Sequence, residues 1–297
     1  MPSAPRFVAV DWGTSRLRAA LVEDGRVVGR SDSDEGIGRL RVGEHEAAFA
    51  RVCGAWLAAE PSLPVALVGM VGSREGWFPA PYASCPAGAA EIAAGALAVD
   101  LPHGATGFVV PGLRFDEDGR VDVMRGEETH LLGSAVVDGL VCLPGTHCKW
   151  ALMTGGRIAR FASFMTGEMH ALLREHSMIG RPATEPGDPA GFARGLAIGM
   201  AAAPGGLLNL LFEARAATVA GAMSPACLGP YLSGLLTGQE ITGAFRLFGR
   251  PTTVTVVADE PRAALYRDAL GSEGIGVTVL GQEPTLLAGI AAILAAR

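Results

Sequence analysis

The sequence predicts an α/β fold in two lobes of one plan, and three observations carry that prediction. Residues 7–33 read as strand, turn, strand, turn, strand; residues 139–165 repeat that order; and each triplet is followed by helices alternating with short apolar strands. The chain is long enough for such a build. Its 297 residues are 49% hydrophobic and 18% charged, a balance that supports a sizeable core and argues against disorder.

Residues 8–22, VAVDWGTSRLRAALV, set the pattern. Strands are expected at 7–11 and 17–22, with Asp-Trp-Gly-Thr-Ser as the turn between them, and "GRVVGRSDS" supplies a third strand after the tight "EDG" turn. Residues 44–59 suit an amphipathic helix that must end before Pro61, and "PVALVGMVGS" follows as a strand and glycine turn. A simple dinucleotide-binding unit begins strand, glycine turn, helix, so this β-β-β-α-β order argues against it. Next come a helix at 86–98, a strand in "GATGFVVPGLRF" and a short helix, "EETHLLG", with an acidic first turn.

The boundary between the lobes falls near 134–140, giving domains of 1–137 and 138–297. Beyond it, "GLVCLPGTHCKWALMTGGRIARFASFM" echoes residues 7–30 in grammar rather than in letters. Helices are expected at 167–178, 191–203, 206–221 and 228–240. "TTVTVVAD" and "GVTVLG" read as strands around the helix "PRAALYRDALGSEG", and 284–296 is a final helix. The stretch "GLAIGMAAAPGGLLNLLF" is apolar enough to suggest a membrane. Pro204, a glycine pair and Asn209 interrupt it and Arg194 and Glu213 bracket it, so it reads as two helices joined at a turn.

Composition narrows the function classes. There are 24 basic and 30 acidic residues, net −6, with no basic block or aromatic-basic interleaving, so no nucleic-acid partner and no membrane partner is expected. The five cysteines, at 53, 85, 142, 148 and 227, form no CxxC pair or disulfide framework. With no secretory leader evident, a reduced, cytoplasmic setting is expected. Apolar core and apolar interface patterns look alike here, which leaves a homo-oligomer open.

Two turns have the chemistry of phosphate grips. In the first, Asp11 ends a strand where it can hold a hydrated Mg²⁺, Gly13 permits close approach, and Thr14 and Ser15 add hydroxyls beside their backbone amides. An ordinary capped hairpin would use the same residues. The second turn, "LPGTHCKWA", places Gly145, Thr146 and His147 beside Lys149, a point charge for phosphate. Two such hairpins on facing lobes can hold a nucleotide triphosphate; no Walker-type GxxxxGK[ST] is present. Between them, "DVMRGEETHLLG" offers Glu127 and Glu128 as carboxylates to orient and deprotonate an accepting hydroxyl. Without the two turns, that stretch reads as an ordinary acidic helix start.

The acceptor's pocket has its own candidates. In "GMVGSREGWFPAPYASCPAG", Arg74 can pair with a substrate carboxylate while Trp77 and Tyr82 form walls; the competing reading is a proline-rich surface loop. Arg16, Arg18 and Arg125 are alternative anchors, and Thr166 and Glu168 in "FMTGE" are further pocket candidates. Gly281 and Gly289 flank a strand–helix junction where a flat adenine can approach, although glycines there also serve helix packing.

Taken together, "DWGTSRLRAAL", "GMVGSREGW", "PYASCPAG", "RGEETHLLG", "LPGTHCKWA", "FMTGE", "LLREHSMIG" and "YLSGLLTGQE" resemble the 2-dehydro-3-deoxygalactonokinases, within the actin-like sugar-kinase/heat-shock ATPase superfamily. The resemblance implies a two-lobed actin-like ATPase (ribonuclease H-like) α/β fold with a central nucleotide cleft. It implies phosphorylation of the 6-hydroxyl of 2-dehydro-3-deoxy-D-galactonate with ATP and Mg²⁺, in galactonate breakdown. It assigns "DWGTS" to the first phosphate loop and "GTH" at 145–147 to the second. Related sugar kinases carry their catalytic carboxylate shortly before the second loop, usually as Asp, where this chain has Glu127–Glu128. "VVADEP" at 256–261 lacks the glycine-containing turn expected of the adenosine site.

Three other functions fit parts of the sequence. One is a kinase for another sugar acid, such as 2-dehydro-3-deoxygluconate. Another is a non-catalytic ATP-binding regulator of the same fold. The third is a metal-dependent hydrolase using His130, His147 and Cys148, whose spacing matches no familiar ligand set.

Overall fold

The computed structural model describes residues 6–201 and 204–297. The chain forms two compact units, and they do not follow a single cut. The first holds the chain through Asp138 together with 151–161 and 280–297; the second holds 139–150 and 162–279.

In the first unit the chain runs β1 (Phe7–Trp12), β2 (Leu17–Glu23), β3 (Arg26–Ser33), α1 (His45–Ala59), β4 (Val65–Gly69), β5 (Tyr82–Ser84), α2 (Ala89–Ala94), β6 (Leu97–Asp100), β7 (Thr106–Val109), β8 (Gly112–Glu117), β9 (Arg120–Met124) and α3 (Glu127–Gly133). Its main sheet has the order β3-β2-β1-β4-β7-β6. β1 pairs antiparallel with β2 and parallel with β4, and β4 pairs parallel with β7. β1 and β4 are near-continuous apolar runs because both faces are covered. Val8, Val10 and Trp12 of β1, Val65 and Leu67 of β4, and Phe49, Val52 and Leu57 of α1 share one core. β5, β8 and β9 form a separate small sheet.

The second unit begins with β10 (Gly139–Leu143), β11 (Cys148–Thr154) and β12 (Arg157–Phe164), the last two running partly into the segment grouped with the first unit. It continues with α4 (Thr166–His176), α5 (Ala190–Met200), α6 (Gly206–Val219), α7 (Pro225–Phe248), β13 (Thr253–Val257), α8 (Arg262–Gly271) and β14 (Gly276–Leu280). α9 (Gln282–Ala295) belongs to the first unit. The second sheet has the order β12-β11-β10-β13-β14. Third strand, second, first, then the next two: this repeats the order of the first sheet, so the echo between residues 7–33 and 139–164 is topological.

Most expected elements are present, with instructive differences. The expected helix 86–98 is a short α2 followed by β6, because the apolar alternation of "LAVD" pairs with β7. The antiparallel β8–β9 pair is not anticipated by the sequence pattern. α7 is far longer than the expected 228–240, and Pro230 sits within its early turns. The last two residues of the expected helix 191–203 lie outside the described residues. α5 and α6 are separate helices, and among the described residues no helix is long and apolar enough to cross a membrane.

Candidate active site

Asp11 stands at the end of β1, opposite Arg18 in the register, and the Arg18 guanidinium lies 3.7 Å from its carboxylate. Loss of water raises the Asp11 carboxyl above its ordinary range; Arg18 pulls it back down, and Glu127 pushes it up further. Glu127 therefore shares the electrostatic surroundings of Asp11. Two glycines permit this approach. Gly69, ending β4, has φ 92°, and Gly126, preceding α3, has φ 109°. A Cβ on Gly126 would lie 3.3 Å from the Gly69 Cα, and one on Gly69 would lie 3.0 Å from the Trp12 carbonyl oxygen. Glycine is required twice over, by space and by backbone conformation.

The two adjacent glutamates have different surroundings. Glu127 is half-buried, and its Oε2 accepts the Arg125 backbone N–H at 3.1 Å. Glu128 is fully buried and accepts the Gly126 backbone N–H at 2.7 Å and the Thr129 hydroxyl at 2.9 Å. Burial, the larger cause, and the neighbouring Glu127 push Glu128 up to about 7. The sequence offers both as candidate bases. Glu128 exposes no surface and anchors the start of α3, whereas Glu127 is half-buried.

The first turn is held through its backbone. Gly13 donates to the Arg16 carbonyl at 2.9 Å, the Gly13 carbonyl accepts from Ile37 at 3.0 Å, and the Thr14 carbonyl accepts from Gly38 at 2.9 Å. Thr14 and Ser15 are exposed.

The second turn is held largely through side chains. Thr146 and His147 are exposed and Gly145 is half-buried. The Thr146 carbonyl accepts the Glu168 backbone N–H at 3.0 Å, and the Glu168 carboxylate sits 2.6 Å from His147 Nε2. Thr166, at the start of α4, hydrogen-bonds Glu240. Thr166 and Glu168, expected in a substrate pocket, are thus committed to the turn and the core beneath it. Lys149, expected as a phosphate-facing charge, is buried in β11, so it presents almost no surface to a ligand.

The remaining candidates divide clearly. Arg74 is exposed. Trp77, expected as a pocket wall, packs instead against Trp12, Phe49 and Phe78, with ring centroids 5.9, 5.5 and 4.4 Å away. Tyr82 is exposed, with the Arg125 guanidinium 4.4 Å from its ring centroid. Arg125 Nη2 donates to the Ala80 carbonyl at 2.9 Å, while its Nε and Nη1 are buried without an acceptor. Gly281 caps α9, its carbonyl accepting the Thr285 hydroxyl at 2.9 Å. Gly289, expected near adenine, serves helix packing: a Cβ there would lie 1.9 Å from the Thr129 carbonyl oxygen of α3. Among the described residues no group of three or more His, Cys, Asp and Glu could hold a metal ion.

A model of the 2-keto-3-deoxy-galactonokinase family matches residues 11–293, from Asp11 to within α9. The chain belongs to that family. The 2-dehydro-3-deoxygalactonokinase of Escherichia coli (strain K12) is 36% identical over 292 residues, 97% of each chain. The crystal structure of a candidate 2-dehydro-3-deoxygalactonokinase from Sinorhizobium meliloti is 35% identical, with a TM-score of 0.88 over 98% of both chains. Component A of the Acidaminococcus fermentans (R)-2-hydroxyglutaryl-CoA dehydratase, 10% identical, has a TM-score of 0.54 over 98% of this chain and 99% of its own. That last likeness is one of fold. The family's fold here is the expected two-lobed α/β type, actin-like and ribonuclease H-like.

Sequence patterns do not reveal the polar residues behind the second turn. Glu240 and Tyr266 are buried, and the Tyr266 hydroxyl donates to Glu240 at 2.9 Å. One signal is available: a single carboxylate, Glu240, inside the apolar run "LLTGQEITGAF".

Proposed function

We propose that this chain is an ATP-dependent sugar-acid kinase that phosphorylates the 6-hydroxyl of 2-dehydro-3-deoxy-D-galactonate. The observation that carries the proposal is the electrostatic influence of Glu127, at the start of α3, on Asp11, near the end of β1, in a chain of this family. Asp11 offers an oxygen donor to a hard divalent cation, which commonly takes just one or two from protein. Asp11 would hold Mg²⁺, whose bound charge offsets that on the phosphate oxygens.

Glu127 accepts the proton as the 6-hydroxyl oxygen attacks the γ-phosphorus; the bond to the β-phosphate oxygen breaks and ADP leaves. Each turn offers backbone amides to phosphate oxygens, those of Thr14 and Ser15 in the first and those of Thr146 and His147 in the second. Arg125, whose Nε and Nη1 donors lack acceptors and whose backbone N–H binds the base, stands beside the exposed Arg74 as a carboxylate anchor.

The test is a side-by-side phosphorylation assay with 2-dehydro-3-deoxygalactonate, its gluconate epimer and a neutral hexose, identifying the phosphorylated carbon. Glu127→Gln should lower kcat by about 10²–10⁴-fold, the range for a general base. Equal turnover of the neutral hexose would remove the carboxylate anchor, and turnover surviving in Glu127→Gln would remove the base.

A further inference from the structure

A buried carboxylate stands behind the second turn, connected to it by a chain of hydrogen bonds. Glu240, on α7, is almost fully enclosed. Trp150 Nε1 donates to its Oε1 at 2.8 Å, the Tyr266 hydroxyl reaches both carboxylate oxygens at 2.9 and 3.0 Å, and Thr166 adds a further side-chain bond. These four residues come from α7, β11, α8 and α4, so Glu240 ties together four elements around the turn. The chain then continues outward. Tyr266 Oη lies 3.3 Å from Cys148 Sγ, and Cys148 Sγ accepts the Gly145 backbone N–H at 3.4 Å and lies 3.4 Å from the Gly145 carbonyl oxygen.

An apolar residue at 240 would fill this space without the cost of enclosing a charge. The carboxylate is surrounded instead by donors, and each donor belongs to an element that the turn rests on. Nothing in the proposed chemistry uses Glu240 directly, since it exposes almost no surface.

We infer that Glu240 is a positioning residue for the nucleotide's phosphates, acting through Tyr266 and Cys148 to hold the Gly145 end of the second turn. This rests on reading that turn as a phosphate grip. The turn carries no regular secondary structure, so its amides keep their direction only if something beneath it does not move. Cys148 Sγ takes up the Gly145 backbone N–H, leaving the backbone amides of the outer residues Thr146 and His147 for the ligand.

Tyr266→Phe removes one oxygen and breaks the chain in its middle. In the full-length protein without nucleotide, amide hydrogen exchange at 145–148 should quicken about tenfold, while the β13 amides stay unchanged. The same variant should raise the KM for ATP about 5- to 20-fold and leave the KM for the sugar acid unaltered. Cys148→Ala should behave alike, and Cys148→Ser, which keeps a hydroxyl donor and acceptor, should recover most of the loss. Unchanged exchange at 145–148 in Tyr266→Phe overturns the inference, as does an equal rise in both KM values. If Tyr266→Phe does not fold, the exchange measurement on Cys148→Ala decides in its place. Because exchange is read without nucleotide, faster exchange in a protein that binds no ATP would uphold the link and reject the kinase reading.

Discussion

The two candidate phosphate turns follow corresponding strands of the two sheets, yet they are held in different ways. The turn at 13–15 is fastened by backbone to the segment 36–38, through the Ile37 and Gly38 amides. The turn at 145–148 has a backbone bond, from the Glu168 N–H to the Thr146 carbonyl, and is otherwise fastened by side chains: the Glu168 carboxylate from α4, Cys148 from its own strand, and Tyr266 and Glu240 behind. Backbone anchoring tolerates almost any side chain but demands room, and side-chain anchoring has the opposite sensitivity. The same strand order therefore yields turns that fail under different substitutions.

Gly36 tests the first half of that contrast most severely. A Cβ there would lie 2.3 Å from the Thr14 carbonyl oxygen and 2.4 Å from the Ser15 nitrogen, so Gly36→Ala must displace backbone. The expected loss is about 3 kcal/mol, at the upper end for overpacking, with weaker ATP binding, read by denaturant unfolding and nucleotide titration. Unchanged stability and affinity would mean that the first turn shifts freely.

Glu128→Gln offers an effect outside both turns. With its folded value raised to about 7, the folded protein holds a proton there more tightly than the unfolded chain does. That contribution to stability is complete below the ordinary carboxylate range and fades as pH rises through about 7, by up to about 3 kcal/mol. Glutamine can still accept from Gly126 and can donate to Thr129. The difference in unfolding free energy between wild type and variant should accordingly change between about pH 4.5 and about 7, the span between the ordinary and the raised value. A difference independent of pH would contradict the burial argument.

The smallest effect belongs to Glu168→Gln. Its pair with His147 is half exposed, and such pairs contribute about 0.2–1 kcal/mol, so the KM for ATP should rise at most about fivefold. A larger change would mean that Glu168 touches the ligand itself.

Both turns and the acidic start of α3 were legible in the sequence, because glycines, hydroxyls and adjacent glutamates lie within a few residues of one another. Glu127 could not be separated from Glu128 by sequence, since the choice depends on which carboxyl the fold encloses. The surroundings of Trp77, Lys149 and Gly289 were hidden for a related reason. A local pattern says that an indole, an ammonium or a close approach is available, and the fold used these for packing or burial. Arg125 stood among several arginines until the structure left two of its donors without acceptors.

By itself the sequence determined the alternation of strands and helices, the repeated three-strand opening and the placing of two glycine turns, all consequences of short-range periodicity and backbone freedom. Only the tertiary structure decided that Gly69 and Gly126 bring Glu127 beside Asp11, and that Glu240, 92 positions after Cys148, supports the second turn. Burial and hydrogen bonding across such distances depend on which elements pack together, and no local run of residues records that.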